Sequence, residues 1–437
     1  MFSFVSERLS YFLASLRRPQ SFTYMVSSTF FIQTITLLII TLNMALVARQ
    51  LGTEGKGFLQ LGILAVSMLA LFLSGGLAIA NIYFAGSRLL DVATLTSVSM
   101  TYTLLATVIG IVISILLFSS GLVSWLLPDV PNWLLGIVII CFPSELLRSF
   151  CYAILQGLQK IVIVNRLVLW HGLISLVLTL ILVWWGRLGL LGAAATYVIA
   201  SWISLSLAIR RLRPEGGKFW PTWNIPVIRQ MLSLGLKGYV GNVLQFYNYR
   251  LDNFIVNNYL GASGVGIYSI SVRMAELLWR FPDAVSFVIL PKAAATDKQV
   301  MNRFTPRIFR LTLLITLFGS FILAIIGKPF IQIVYSSQFV SAFIPMLWLL
   351  PGVVLLGAAK VLTNEIAGRG FPHYNSFNSG LALILTVLFD FLLIPQWGVA
   401  GAAAASSISY AATFVLAILF YQIVSRKSAH NLVPQEG

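Results

Sequence analysis

Apart from those counted with the loops and ends, twelve side chains of Asp, Glu, Lys and Arg fall inside stretches of this 437-residue chain that are otherwise apolar enough to span a bilayer. Six are basic: Arg148, Lys237, Arg250, Arg273, Arg280 and Lys360. Six are acidic: Glu145, Asp252, Glu276, Asp283, Glu365 and Asp390. Charge at that depth is costly, so by default it marks a pathway or a binding site. The densest group runs from Lys237 to Asp283, which has the pattern of a helical hairpin turning at Tyr259–Gly266. Arg273, Glu276, Arg280 and Asp283 recur at a helical spacing that places them within a sector of roughly 80° on one helix. Arg250 precedes the outer turn by about as much as Arg273 follows it, so the two are expected at similar depth.

These residue types suit two chemistries. A cavity bearing Arg250, Arg273, Arg280, Arg148 and Lys360 would hold an anion, and the planar fork of arginine donates two parallel hydrogen bonds to a phosphate. Asp252, Glu276, Asp283 and Glu365 would then couple an ion or balance the arginines. The other reading is a closed ion-pair network that only holds helices together. Some pairs favour it: Glu145 and Arg148 are three apart on one helix, Lys237 can snorkel to the inner surface, and Asp390 is near an outer end. Phe246, Tyr247, Tyr249, Tyr268, Trp279 and Phe281 can stack on sugar rings or pack against lipid. Asn242, Gln245, Asn248 and Asn253 can bond hydroxyls or neighbouring helices.

The elements that must position these groups follow from composition. Hydrophobic residues make up 58% of the chain and charged residues 10%, against about 25% charge in a soluble domain. Mean hydropathy is +0.90. Apolar runs long enough to cross a bilayer recur without alternation, which predicts an all-α polytopic membrane protein. The pattern predicts twelve spans, at about 24–48, 58–85, 92–118, 133–154, 161–184, 188–209, 232–257, 266–290, 308–333, 343–366, 375–394 and 398–424. The second is expected to be breakable at Gly75-Gly76, and the joint at Gly186–Leu188 is tight. Before them, residues 1–21 suggest a short interfacial helix and lack the apolar core of a signal peptide. Cys141 and Cys151, ten apart on one expected helix, are too far along it to bridge.

A net charge of +16 raises the question of nucleic acid, but its distribution answers differently. One alternate set of loops and ends holds nineteen Lys and Arg. The opposite set holds Arg49, Lys56, Arg187 and Lys328. That is a topology signal placing both termini in the cytoplasm, with no nucleic-acid partner expected.

The chain is also duplicated. Leu51-Gly52-x-x-Gly55-x-Gly57 recurs as Leu260-Gly261-x-x-Gly264-x-Gly266, and Gly192-Ala-Ala-Ala recurs as Gly401-Ala-Ala-Ala, both at an offset of 209. Two motifs sharing one offset indicate a parallel internal repeat of two six-helix lobes. The expected division is a segment at 1–21, an N-lobe at 22–209, a cytoplasmic linker at 210–231, a C-lobe at 232–424 and a tail at 425–437, with substrate held between the lobes. Subtracting 209 takes Arg250, Asp252, Arg273, Glu276, Arg280 and Asp283 to Thr41, Asn43, Leu64, Ser67, Leu71 and Ser74. The scaffold therefore tolerates uncharged residues at these sites, and the charge belongs to the second copy.

No Walker loop, HExxH motif or metal-spaced His/Cys cluster occurs in the sequence. Catalysis, a cofactor and a metal are not expected, and transport would draw on an ion gradient, the membrane potential or downhill flow.

Arg49-Gln-Leu-Gly-Thr-Glu-Gly-Lys-Gly-Phe, its echo Tyr259-Leu-Gly-Ala-Ser-Gly-Val-Gly-Ile-Tyr, Leu155-Gln-Gly-Leu-Gln-Lys and Trp397-Gly-Val-Ala-Gly-Ala-Ala, in that layout, resemble the polysaccharide-transporter family. This is the Wzx-type oligosaccharide flippase branch of the multidrug/oligosaccharidyl-lipid/polysaccharide exporter superfamily. The resemblance implies a bacterial inner-membrane flippase. It would move an undecaprenyl-pyrophosphate-linked oligosaccharide to the outer leaflet by alternating access, for polysaccharide or O-antigen (lipopolysaccharide) assembly. A polysaccharide polymerase and a chain-length regulator are implied partners. Members differ in their intramembrane charges, so the site residues rest on the residues themselves. A multidrug cation antiporter of the same superfamily is the alternative; it should show an acidic cavity, and the first three spans carry no carboxylate. A peptidoglycan-precursor flippase would need two further spans after Val424. A major-facilitator transporter would need a better loop than Gly86-Ser-Arg-Leu-Leu-Asp91. A scaffold without transport would not need buried charge.

Overall fold

The computed structural model describes residues 22–295 and 298–430. The interfacial segment expected over 1–21, the end of the tail and the side chain of Lys237 lie outside the described residues. The described secondary structure is helical throughout, without a strand. In chain order the α-helices are α1 Phe22–Leu73, α2 Leu77–Ser87, α3 Val92–Ser119, α4 Leu122–Leu126, α5 Asn132–Ile139, α6 Phe142–Gly157, α7 Ile161–Leu178 and α8 Gly189–Leu212. They continue as α9 Ile225–Arg250, α10 Asp252–Glu276, α11 Arg280–Ala295, α12 Lys298–Val334, α13 Phe343–Gly368, α14 Pro372–Trp397 and α15 Val399–His430. Helix is the only way an open-ended apolar segment can satisfy its own backbone in lipid.

Two glycines fold helices that would otherwise run too far. At about 1.5 Å per residue, the 52 residues of α1 would exceed twice a hydrocarbon core of about 30 Å. Gly52 breaks the run with φ 67° and ψ −171°, a conformation closed to residues with a Cβ. In α10, Gly261 adopts φ 67° and ψ −176°. The two positions are 209 apart. So are Gly189 and Gly398, with φ 54° and 58°. The repeat of sequence is therefore a repeat of backbone.

Among the described residues, nine helical segments are long and apolar enough to cross a membrane. The first of them, Ile32–Leu73, is two passes folded at Gly52. The shorter apolar helix Ile225–Leu236 opens the stretch 225–295, which is not among the nine. The three helices of this stretch fold back at Gly261 and supply two more passes, which gives the expected count of about twelve. The second pass does break at Gly75-Gly76, with φ 56° and 76°, where a side chain on Gly76 would strike the backbone of Gly235. The joint before α8 is a π-helical turn, Thr179–Trp185, followed by Arg187 at φ 51°.

The helices gather into two compact units. The first comprises Met1–Gln50, Leu69–Ile113 and Trp133–Leu236; the second comprises Leu51–Met68, Ser114–Asn132 and Lys237–Gly437. In the first, α2 and α8 pack on α6, burying Leu77, Phe142, Leu146, Phe150 and Ile154 against Ala193, Ala194 and Ala200. Asn81 donates to Ser99 inside this core at 3.0 Å. In the second, α13 and α15 form the main seam, with α14, α12 and α11 around it. Ala402–Ala405 are buried and Gly352 lies against the backbone of Ser407, so small residues permit close helix approach. The two outer turns of the repeat meet within this unit. A Cβ on Gly57 would collide with the carbonyl oxygen of Ala262, and one on Gly266 with that of Thr53. The pairing is reciprocal, because 53 and 262 are also 209 apart. Ser263 Oγ donates to Thr53 Oγ1 at 2.8 Å.

The segment after α8 belongs to the first unit and is tied to α3. Lys218 N donates to Thr96 Oγ1 at 2.9 Å, and the Lys218 carbonyl accepts from Thr96 and Ser97. Four residues on, Thr222 exchanges both backbone bonds with the Thr101 hydroxyl, at 2.8 and 3.0 Å. Lys160 pairs with Glu215 nearby.

Candidate functional site

The densest set of charges lies in the second unit, where α9, α10 and α11 run past α13, α14 and α15. The charged stripe expected on one continuous helix is divided. A 3₁₀ turn at Leu277–Trp279 separates α10 from α11. Such a turn advances about 120° per residue instead of about 100°, so its three residues rotate α11 relative to α10 by roughly 60°. Arg273 and Glu276 stand on one side of the turn, and Arg280 and Asp283 on the other.

The acidic members face different partners. Glu276 Oε1 meets Arg250 Nη1 at 2.8 Å. Asp283 Oδ1 meets Lys360 Nζ at 2.7 Å. Lys360 also lies 4.1 Å from the centre of the Trp279 ring, whose Nε1 donates to the Val353 carbonyl at 3.0 Å. Trp279, Tyr249 and Tyr410 form a three-ring cluster with centroids 5.3 to 5.9 Å apart. Asp252 is buried among neutral donors: the Tyr268 hydroxyl, Asn253 Nδ2 at 2.8 Å and Ser406 Oγ at 3.3 Å. Tyr268 and Asn253 thus serve the carboxylate, and Asn248 accepts from Thr386 at 2.7 Å. Glu365 is fully buried and pairs with Arg369 one turn on, with Asn302 accepting from the same guanidinium at 2.7 Å.

In the first unit, Arg148 pairs with Glu145 and lies over the Tyr152 ring at 5.6 Å. Ser201 donates to Glu145 at 2.8 Å, and His171 Nδ1 is 2.8 Å from Ser204 Oγ.

Two of the expected basic residues differ from the rest. Arg273 and Arg280 are exposed and make no ion pair among the described residues. A third cation stands near Arg273. Lys56, counted from the sequence as an outer-loop residue, is on the second arm of α1 at 4% exposure. It donates to Gln60 Oε1 at 2.9 Å and feels the positive field of Arg273.

On the inner helices of the same unit lies a cavity of about 560 Å³. Gly241, Asn242, Gln245 and Tyr249 of α9 line it, with Asp283 and Ser286 of α11, Lys360, Thr363, Asn364 and Ala367 of α13, Asn375, Ser376, Asn378 and Ser379 of α14, and Thr413 of α15. Sequence reasoning singled out Asn242, Gln245, Tyr249, Asp283 and Lys360 and passed over the other polar residues of α13 and those of α14. Their signal was legible: Lys360, Thr363, Asn364 and Ala367 share one helix face by spacing, and so do Asn375, Ser376 and Ser379.

Comparison with known proteins places this architecture. Residues 46–344 match the family described as polysaccharide biosynthesis protein. An uncharacterized membrane protein of Methanocaldococcus jannaschii is 21% identical over 84% of this chain and 90% of its own length. A probable low-salt glycan biosynthesis flippase of Haloferax volcanii is 22% identical over 39% of this chain and 37% of its own. A capsular polysaccharide biosynthesis protein of Staphylococcus aureus is 24% identical over 46% of this chain and 52% of its own. A second membrane protein of Methanocaldococcus jannaschii is 22% identical, and the chain spans only 43% of its length. Among solved structures, the lipid II flippase MurJ in an inward closed conformation has a TM-score of 0.76 at 14% identity, covering 92% of this chain and 90% of that one. An inward-facing multidrug resistance MATE family transporter has a TM-score of 0.69 at 11% identity, covering 93% and 100%.

Proposed function

The chain belongs to the polysaccharide biosynthesis protein family, and from that premise we propose that it is a flippase for an undecaprenyl-pyrophosphate-linked oligosaccharide. It would carry this lipid from the cytoplasmic to the outer leaflet of a bacterial plasma membrane by alternating access, with both termini cytoplasmic, and perform no catalysis. A polymerase and a chain-length regulator would act on the delivered glycan.

The observation that carries the reading is the pair Arg273 and Arg280, left without a carboxylate among the described residues on helices that run through the membrane. A guanidinium at that depth is costly unless an anion meets it. A pyrophosphate supplies such an anion in the geometry that arginine prefers. Arg250, Lys360 and Arg148 have carboxylate partners in the protein, so their share in substrate binding would require those partners to exchange. Glu276 and Asp283 balance charge, while Asp252 and Glu365 are held within buried networks; any coupling role would pass through these four. The antiporter reading shares the fold, but a cationic substrate would be repelled by these unpaired arginines.

The test is complementation of a flippase-null strain. Arg273→Ala and Arg280→Ala are expected to abolish glycan export with protein abundance in the membrane unchanged. Full export by both variants would sink the assignment.

A further inference from the structure

The cavity of the second unit differs in chemistry from the arginines. Asn364 Nδ2 donates to the Lys360 carbonyl at 2.8 Å, Asn375 Nδ2 to the Thr363 carbonyl at 2.8 Å, and Asn378 Nδ2 to the Thr413 carbonyl at 3.1 Å. A backbone carbonyl only accepts, so it fixes which end of each amide faces it. The three side-chain oxygens are thereby turned away from these anchors. Among the described residues, Asn378 Oδ1 is buried without a hydrogen-bond partner, as is Ser286 Oγ, and both residues line the cavity. The one cation at the wall, Lys360, is neutralised by Asp283 and rests on Trp279. The wall is thus rich in acceptors and carries no net charge from this pair. Such a surface repels phosphate and rewards a ligand that donates many hydrogen bonds.

We infer that this cavity is a sugar subsite. It takes a neutral ring whose hydroxyl and acetamido groups donate to Asn364 and Asn375, while the pyrophosphate of the same lipid engages the arginines. This rests on the flippase reading above. The volume of about 560 Å³ lies within the range of about 300–1,000 Å³ common for small-molecule sites. Tyr249 at the wall adds an aromatic side chain, apolar in its body and polar at its tip. Recognition would then be divided, with charge selecting the carrier and neutral acceptors selecting the glycan.

Reconstituted liposomes test this with two lipids, bare undecaprenyl pyrophosphate and undecaprenyl pyrophosphate bearing one N-acetylglucosamine. Asn364→Leu/Asn375→Leu removes both amide groups, and with them two acceptors, while keeping a branch at each Cγ. It is expected to slow flipping of the sugar-bearing lipid about ten-fold or more, the scale of losing one or two hydrogen bonds, and to leave the bare lipid within about two-fold. Arg273→Ala is expected to slow both. A double variant that slows both lipids alike or neither overturns the subsite, as does a wild-type protein that moves only the bare lipid. A wild-type protein that moves neither lipid overturns the flippase reading itself.

Discussion

Arg250 and Arg280 are both arginines of the second unit, yet removing them should have different consequences. Arg250→Ala leaves Glu276, whose side chain is 14% exposed, without its cation. Breaking a buried pair costs about 3–5 kcal/mol, and partial exposure reduces this to about 2 kcal/mol. The expected outcome is a lower melting midpoint in detergent, with Arg250→Ala/Glu276→Gln recovering part of the loss. Arg280→Ala should leave the midpoint unchanged while export fails. The presence of these charges in apolar runs was legible in the sequence, because an ionisable residue there needs no fold to be noticed. Which charge meets which was not. Glu276 looks as suited to Arg280, four residues on, as to Arg250, and the choice depends on where α9 runs. Asp252 was read as a coupling or balancing group; a tyrosine sixteen residues away and a serine on α15 surround it. Such partners come together only when distant helices pack.

At the scale of elements, glycine placement governs where helices turn and how closely they approach. Gly57→Ala or Gly266→Ala would push a methyl group into a backbone carbonyl. Each is expected to destabilise by about 1–3 kcal/mol or more, read as a fall in melting midpoint and in monodisperse yield. Gly136→Ala in α5 meets nothing within 4 Å and should gain up to about 1 kcal/mol of helix propensity. Span positions were legible because length and hydropathy follow directly from the bilayer. The Gly52 and Gly261 turns were legible through their shared offset. The 3₁₀ turn at Leu277–Trp279 was not, since it contains no glycine or proline. Its consequence, the division of the charged stripe, therefore came only from the structure.

At the scale of the whole molecule, the repeat and the basic loops lead to two measurements. The Thr53 and Ser263 hydroxyls are 2.8 Å apart, close enough for a disulfide between cysteines at these positions. In Thr53→Cys/Ser263→Cys, an oxidant is expected to form that bond and stop export if the two turns must part during transport, and a reductant should restore it. Export that persists in the oxidised protein would show that the turns stay together. Reporter fusions at the C-terminus are expected to be active only as cytoplasmic species, given the excess of Lys and Arg on that side. The duplication was visible before any coordinates because two motifs kept one spacing. The amide-lined cavity was legible only in part: Lys360 and Asp283 stand out as charges in apolar runs, but nothing in the sequence brings α9, α11, α13 and α14 around one space. The hydrogen bonds between Lys218, Thr222 and the Thr96–Thr101 face of α3 have a practical corollary. The longest loop in the chain is the natural place to splice in a fluorescent protein or an affinity cassette, yet here it behaves as a stitched hem. A cassette between Lys218 and Thr222 would tear the stitches, whereas one placed at Gly216-Gly217, just before them, should leave them whole.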